Sequence, residues 1–427
     1  MSGSTMILVL WITLSLVCSV LGYGSIVVLE NRQTADAVAA IQAEQALRGA
    51  QAYLQGVLTT LGPGKMPSIT DLPEQDFTVG GATFRLVRAP GSATASEVEY
   101  GVEAEAGRLN LNNVPAETLQ LLPGMTMELA AAIIDWRDAD ETATAGGAES
   151  ETYLRLVPPR LCKNANFESI GELAMVYGMT PEALYGRDRN LNGMVDTWEK
   201  TIDADSDFGL CRQVTMFSKA TGPAPDGSAQ VSVNSSQLRQ TLQSKLSASD
   251  ADKVLAKIQP GRTRFGSMLD FYVKSGLDQT TFATVEPYLT ATEQGSPAPI
   301  NVNSASAGVL ACIPGLDESS AESLVAWRKA NPDSLASIAW ILNVLTQSQA
   351  LQAASRLTTS AWQIRADISA TGANGRGFQR RLLVFDSSSG KPVISYSRDL
   401  TRFGWAAGEK TTATGSSTKP TNSLRQE

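Results

Sequence analysis

Residues Gly107–Ala139 read GRLNLNNVPAETLQLLPGMTMELAAAIIDWRDA, and Ala298–Ala330 read APINVNSASAGVLACIPGLDESSAESLVAWRKA. The two align without a gap at an offset of 191. Asn110 falls on Asn301, Asn112 on Asn303, Leu119 on Leu310 and Pro123-Gly124 on Pro314-Gly315. Trp136-Arg137 falls on Trp327-Arg328. Each copy has the same logic. An Asn-rich turn satisfies free backbone N–H groups at the start of a short helix. Pro-Gly then reverses the chain. A second helix follows with one apolar face: Leu129, Ile133 and Trp136 in the first copy, Leu324 and Trp327 in the second. The expected unit is a helix-hairpin-helix, repeated at 107–139 and 298–330. Residues 230–258 are a possible third copy; they lack Pro-Gly and need a one-residue gap.

The whole chain has 427 residues, 43% of them hydrophobic, enough for more than one packed unit. Its net charge of −8 gives no general attraction to nucleic acid. Histidine is absent, which removes every His-based triad, general base and metal ligand. The four cysteines, Cys18, Cys162, Cys211 and Cys312, form no CxxC, so a zinc or iron–sulfur centre is not expected. Cys162 and Cys211 read either as a pair in an oxidising space or as two buried thiols. No nucleophile elbow, P-loop or metalloprotease motif occurs, and the expectation is a protein without catalysis.

Met6–Leu29, MILVLWITLSLVCSVLGYGSIVVL, carries no charge and at ~1.5 Å per residue is long enough for a ~30 Å hydrocarbon core. No second such run follows, which predicts one crossing. The helix continues past the membrane segment. Val38, Ile41, Leu47, Ala50, Leu54, Val57, Leu58 and Leu61 suggest one apolar face, up to a breaker at Gly62-Pro63-Gly64. Phe77–Val87 and Val98–Glu105 read as two strands of a hairpin. Strands return at Trp362–Ser369, Arg380–Phe385 and Val393–Tyr396. The sheet is thus opened, interrupted by a helical body and completed near the end. The expected divisions are a helix (1–62), a first part of the sheet (63–106), an inserted helical domain (107–357), closing strands (358–406) and a disordered tail (407–427) rich in Thr, Ser, Gly and Lys.

Two stretches suit a hard cation. Asp188–Glu199, DRNLNGMVDTWE, fits the twelve-residue calcium-loop template. Asp188, Asn190 and Asn192 stand at positions 1, 3 and 5, and Gly193 at the turn. Met194 would offer its carbonyl, with Asp196 at position 9 and Glu199 at 12. A second acidic group, Asp135, Asp138, Asp140, Glu141, Glu149 and Glu151, follows the first repeat; it is either a solvated loop or a set of ligands. Helix-hairpin-helix units often hold a phosphate on their turn amides. Both copies are net acidic, however, and Asp317 and Glu318 stand where the phosphate would lie. A membrane-anchored DNA receptor is therefore the second choice, and no nucleic-acid partner is expected.

GRLNLNNVPAETLQLLPGM, AIIDWRDADE with GGAESETY, INVNSASAGVLACIPGL and WQIRADIS, in that order, resemble the K component of bacterial type II secretion systems, the large minor pseudopilin. The resemblance implies an α+β, pilin-like fold: a long N-terminal helix and a small antiparallel sheet, with a large all-α domain inserted. It implies structural calcium in that insert, with Asp138, Asp140 and Glu149 as ligands by position. It implies a tip subunit of a periplasmic pseudopilus, single-pass in the inner membrane, with I- and J-type minor pseudopilins as partners. Prepilin peptidase would cut after Gly3 and leave Ser4 first; the three residues before the cut lack the family's usual basic charge. Leu8 would then be the fifth mature residue, where most pilins have glutamate and the K component does not.

Overall fold

The computed structural model describes residues 3–72, 76–88, 99–193, 195–204, 207–260, 263–292 and 296–404. The expected tail and Met194 lie outside them. Helix α1 runs from Gly3 to Leu61, 59 residues, or ~88 Å at the α-helical rise. It is long and apolar enough to cross a membrane, and its most apolar window is uncovered among the described residues. Further along, Ala43, Ala46, Leu47, Ala50, Leu54 and Leu58 are buried. The expected apolar face is thus shifted: Val38 and Ile41 stay exposed, at 49% and 63%. The seam is alanine-rich because a sheet lies against it, and small side chains let helix and strands approach.

That sheet begins with β1 (Phe77–Val79) and β2 (Ala82–Arg88). The expected long hairpin is corrected here. Gly80 and Gly81 both have positive φ, 57° and 84°, and close a two-residue turn inside what read as a single strand. The second expected strand survives as two short pieces, β3 (Glu99–Tyr100) and β4 (Glu103–Ala104). They pair with different neighbours, β3 with β2 and β4 with the long central strand. Beyond the inserted body come that central strand (Gln363–Thr371), then Gln379–Asp386 and Val393–Asp399. The order is β1, β2, Gln363–Thr371, Gln379–Asp386, Val393–Asp399, all antiparallel. Along the central strand Ile364, Ala366, Ile368 and Ala370 join the α1 core. The alternate residues, Gln363, Arg365, Asp367 and Ser369, fall on the opposite face by the period of two.

The body between has its own core, built from Leu109 to Leu357. It is not all-helical. β5 (Leu109–Asn110) pairs in parallel with β6 (Val214–Thr215). β7 (Val231–Ser232) pairs likewise with β8 (Leu289–Thr290), and β9 (Ile300–Asn301) with β10 (Leu357–Thr358). Two-residue strands are too short to show a period, so the helical pattern hid them. The ladders reveal three copies of one unit. Asn112, Asn234 and Asn303 each donate a side-chain N–H to a downstream carbonyl, on Phe167, Phe265 and Leu335. Thr215, Thr290 and Thr358 each accept an amide two residues on, from Phe217, Thr292 and Ser360. Residues 230–258 are the start of a full copy, with helices at Leu238–Lys245 and Ala248–Ile258. The first copy is much longer than the other two between its opening and closing strands. Both cation-suited stretches lie in this copy; Asp135 and Asp138 end the segment it shares with the last copy, and Glu149 and Asp188–Glu199 fall in its extra length.

Candidate metal sites

In the first copy a short helix, Ala116–Leu119, leads through Gly124 into Met127–Arg137. Thr126 caps the second helix by accepting the Leu129 amide. Arg137 donates to the carbonyls of Leu111 and Val114, tying the helix end to the opening turn. Trp136 meets Tyr153 edge-on, centroids 5.2 Å apart, which packs the next helix, Ser150–Leu154, against it. Asp135 is thereby buried, Asp138 is the C-cap of one helix and Glu149 the N-cap of the other.

Asp135, Asp138 and Glu149 bring carboxylate oxygens within 4.8 Å of one another. Asp135 accepts the Thr144 amide. Among the described residues, both oxygens of Glu149 and Oδ1 of Asp138 are buried with no hydrogen-bond partner. Burial pushes the Glu149 carboxyl up to about 7, opposed by the neighbouring Cys162 thiol and aided by repulsion from Asp135, Asp138 and Glu141. Burial, with Asp140 and Asp135 behind it, raises Asp138 too. Two carboxylates at such a distance repel by roughly 3–4 kcal/mol at an effective dielectric of ~20. Residues 139–146 of the loop are exposed, but the carboxylate oxygens of Glu149 and Oδ1 of Asp138 are buried beneath it. Unpartnered anionic oxygens converging in a closed space are what a hard cation requires. Asp140, expected as a ligand, is not in the group; its Oδ1 accepts the Thr142 amide. Asp135 is the third carboxylate near Asp138 and Glu149. It sits one helical turn before Asp138, a spacing visible in the sequence.

The Asp188–Glu199 loop is organised differently. Asp188 and Glu199 are fully buried, and Asn190 and Asn192 nearly so. Gly193 takes φ 82°, the left-handed turn that a side chain resists. Asp188 accepts the amides of Asn192 and Gly193, and Glu199 those of Arg189, Asn190 and Asp196. The side chains of Asn190 and Asn192 both reach Asp196 Oδ2, at 2.6 and 3.2 Å. Positions 1, 3, 5, 9 and 12 of the template thus converge on one loop, and every donor is oxygen once the two amides are turned. Burial raises Asp188 and Glu199 alike, and a cation would relieve it. Arg212, 3.4 Å from Asp188, supplies part of that compensation.

Cys18, Cys162, Cys211 and Cys312 are free thiols, and Cys162 donates to the carbonyl of Asp135. At the second repeat's turn Asp317 caps Glu318–Ala330 by accepting the Ser320 amide, which places a carboxylate where a bound phosphate would sit.

Residues 107–186 and 300–360 match family models described as type II secretion system (T2SS), protein K. A curated relative, type II secretion system protein K of Pectobacterium carotovorum subsp. carotovorum, is 37% identical over 84 residues. That alignment covers 20% of this chain and 24% of the relative. The crystal structure of the GspK-GspI-GspJ complex from the enterotoxigenic Escherichia coli type 2 secretion system contains a chain with 10% identity and a TM-score of 0.43. The match covers 87% of this chain and 99% of that one. The first family segment contains the Asp135–Asp138–Glu149 cluster, and the second contains the ladder and turn of the last copy. Over these two segments, about a third of its length, the chain is similar to the type II secretion system protein K family, and it spans about a quarter of the length of the curated relative.

Proposed function

We propose that this chain is a non-enzymatic minor pseudopilin, placed at the tip of a type II secretion pseudopilus to start and cap the fibre. The observation that carries this reading is the joining, on one polypeptide, of the two family segments with a helix that is bare and apolar at first and sheet-covered later. The apolar half anchors the chain in the inner membrane, and the rest lies in the periplasm. The inserted body, three strand-closed copies of a helix-hairpin-helix unit, supplies bulk that fibre subunits cannot flank. Calcium is the cation of both acidic sites: Asp135, Asp138 and Glu149 in one, and Asp188, Asn190, Asn192, Asp196 and Glu199 in the other. When bound it neutralises carboxylates that the fold has already brought together. I- and J-type minor pseudopilins are the partners, joined through α1 and the sheet, and prepilin peptidase acts at Gly3.

Leu8 tests the placement. An apolar residue there offers no carboxylate to a neighbouring subunit's terminal amine. Leu8→Glu should let the protein enter the shaft, read by immunogold labelling of purified pseudopili. Wild-type label spread along the shaft would overturn the tip assignment.

A further inference from the structure

The sheet sends a buried cation into the second loop. Arg380, in the strand Gln379–Asp386, is 1% exposed. Its Nη1 donates to the carbonyl of Asn190 at 2.7 Å and its Nη2 to that of Leu191 at 2.9 Å. The same guanidinium holds Asp367 of the central strand through Nε and Nη2. Asn190 and Leu191 are separated from Arg380 by about half the chain, so nothing local makes this contact. Leu191 lies between two template positions and adopts φ 59°, a left-handed conformation that a branched side chain disfavours. The forked donor meets the two carbonyls on either side of that strained peptide. Lysine, with a single ammonium, cannot span both while also pairing with Asp367.

We propose that Arg380 is the positioning residue of the Asp188–Glu199 loop, and that through it cation occupancy of the loop is transmitted to the sheet. The inference rests on the calcium reading of that loop. Arg380 touches no ligand oxygen; it fixes the backbone from which Asn190 and Asn192 project. Asp367 fixes Arg380 in turn. Binding tightens the loop around its carbonyls and hence the strand that carries Arg380. That strand also carries Arg381, which reaches the other way to Glu44 of α1 at 3.0 Å. A route thus runs from the loop through the sheet to the helix.

The test uses the full chain in detergent micelles and terbium as the calcium probe. Trp198 lies within the loop and is exposed, so it sensitises terbium bound there; Trp198→Phe identifies that part of the signal. Arg380→Lys should weaken the Trp198-dependent affinity about tenfold or more, as loss of a supporting contact does at metal sites. Asp367→Asn, which leaves Arg380 in place, should weaken it less. Hydrogen exchange at the amides of 379–386 should slow on metal addition in the wild type and not in Arg380→Lys. Affinity within about twofold of wild type in a folded Arg380→Lys, or exchange in that strand indifferent to metal, would overturn the coupling while leaving calcium binding intact. A wild type with no Trp198-dependent signal would overturn the calcium reading of the loop itself, and the coupling with it.

Discussion

Arg380 and Arg381 are neighbours in sequence and face opposite sides of a sheet. One holds the loop at Asn190–Leu191, the other holds Glu44 on α1. The period of two does this without any special residue. Glu149 shows the reverse case, a buried carboxyl whose oxygens have no hydrogen-bond partner among the described residues. Glu149→Gln should leave the fold intact and weaken one calcium-binding event by about tenfold in a calorimetric titration, because one of three anionic ligands is lost. An unchanged isotherm would mean that the cluster holds no ion. Glu286 is a buried carboxyl with a different environment. It accepts the Ile338 amide with both oxygens, and burial pushes it up to about 8, opposed by Ile338 and Thr359. Its folded value lies above its unfolded one, so the native state holds a proton that the unfolded chain has released. Stability should therefore fall as pH rises from near 4.5 towards 8 and be level beyond. Glu286→Gln should flatten that decline in melts run across the same range; an equal decline in the variant would refute the assignment.

At the scale of the element, α1 has two different exteriors. Its most apolar stretch is uncovered among the described residues, and its second half places Ala43, Ala46 and Ala50 in one core with Phe84, Ile368 and Phe385. Alanine in that seam is a spacing choice. Ala46→Leu adds three carbons between helix and sheet, and overpacking of this kind costs ~1–3 kcal/mol. Urea unfolding of the detergent-solubilised chain should show that loss, with the helical content of the folded baseline unchanged. A variant as stable as the parent would mean that the helix sits more loosely on the sheet than the buried alanines imply. The turn between the two long strands also rests on this helix. A side chain at Gly377 would meet the Ala39 backbone at 2.2 Å.

The whole molecule is a helix and sheet carrying a three-copy body, and the two acidic sites lie in the copy that has grown. The lengthened segments around 138–149 and 188–199 contain few buried apolar residues, so under the proposed calcium reading a bound cation would supply order that hydrophobic contacts do not. Chelation should lower the melting temperature by several degrees, since a ligand bound only to the native state stabilises it by mass action. The drop should be reversed by calcium. An identical melt with and without chelator would remove the metal from the account.

The sequence by itself determined the elements whose signals are local or repeated. The apolar run, the two copies of the Asn-rich turn and Pro-Gly, and the twelve-residue loop are each legible from spacing alone. Phe77–Val79 and Ala82–Arg88 look like one strand in the sequence because alternation cannot tell a turn of two glycines from a strand interior. The parallel ladders went unseen because each is two residues long and its halves lie far apart in the chain. Only the tertiary structure chose Asp135 over Asp140, since helix packing, not position in the acidic run, decides which carboxylates converge. It alone brought Arg380 to Leu191. A contact between residues so distant in sequence leaves no period and no motif, and exists only once sheet and body have packed together.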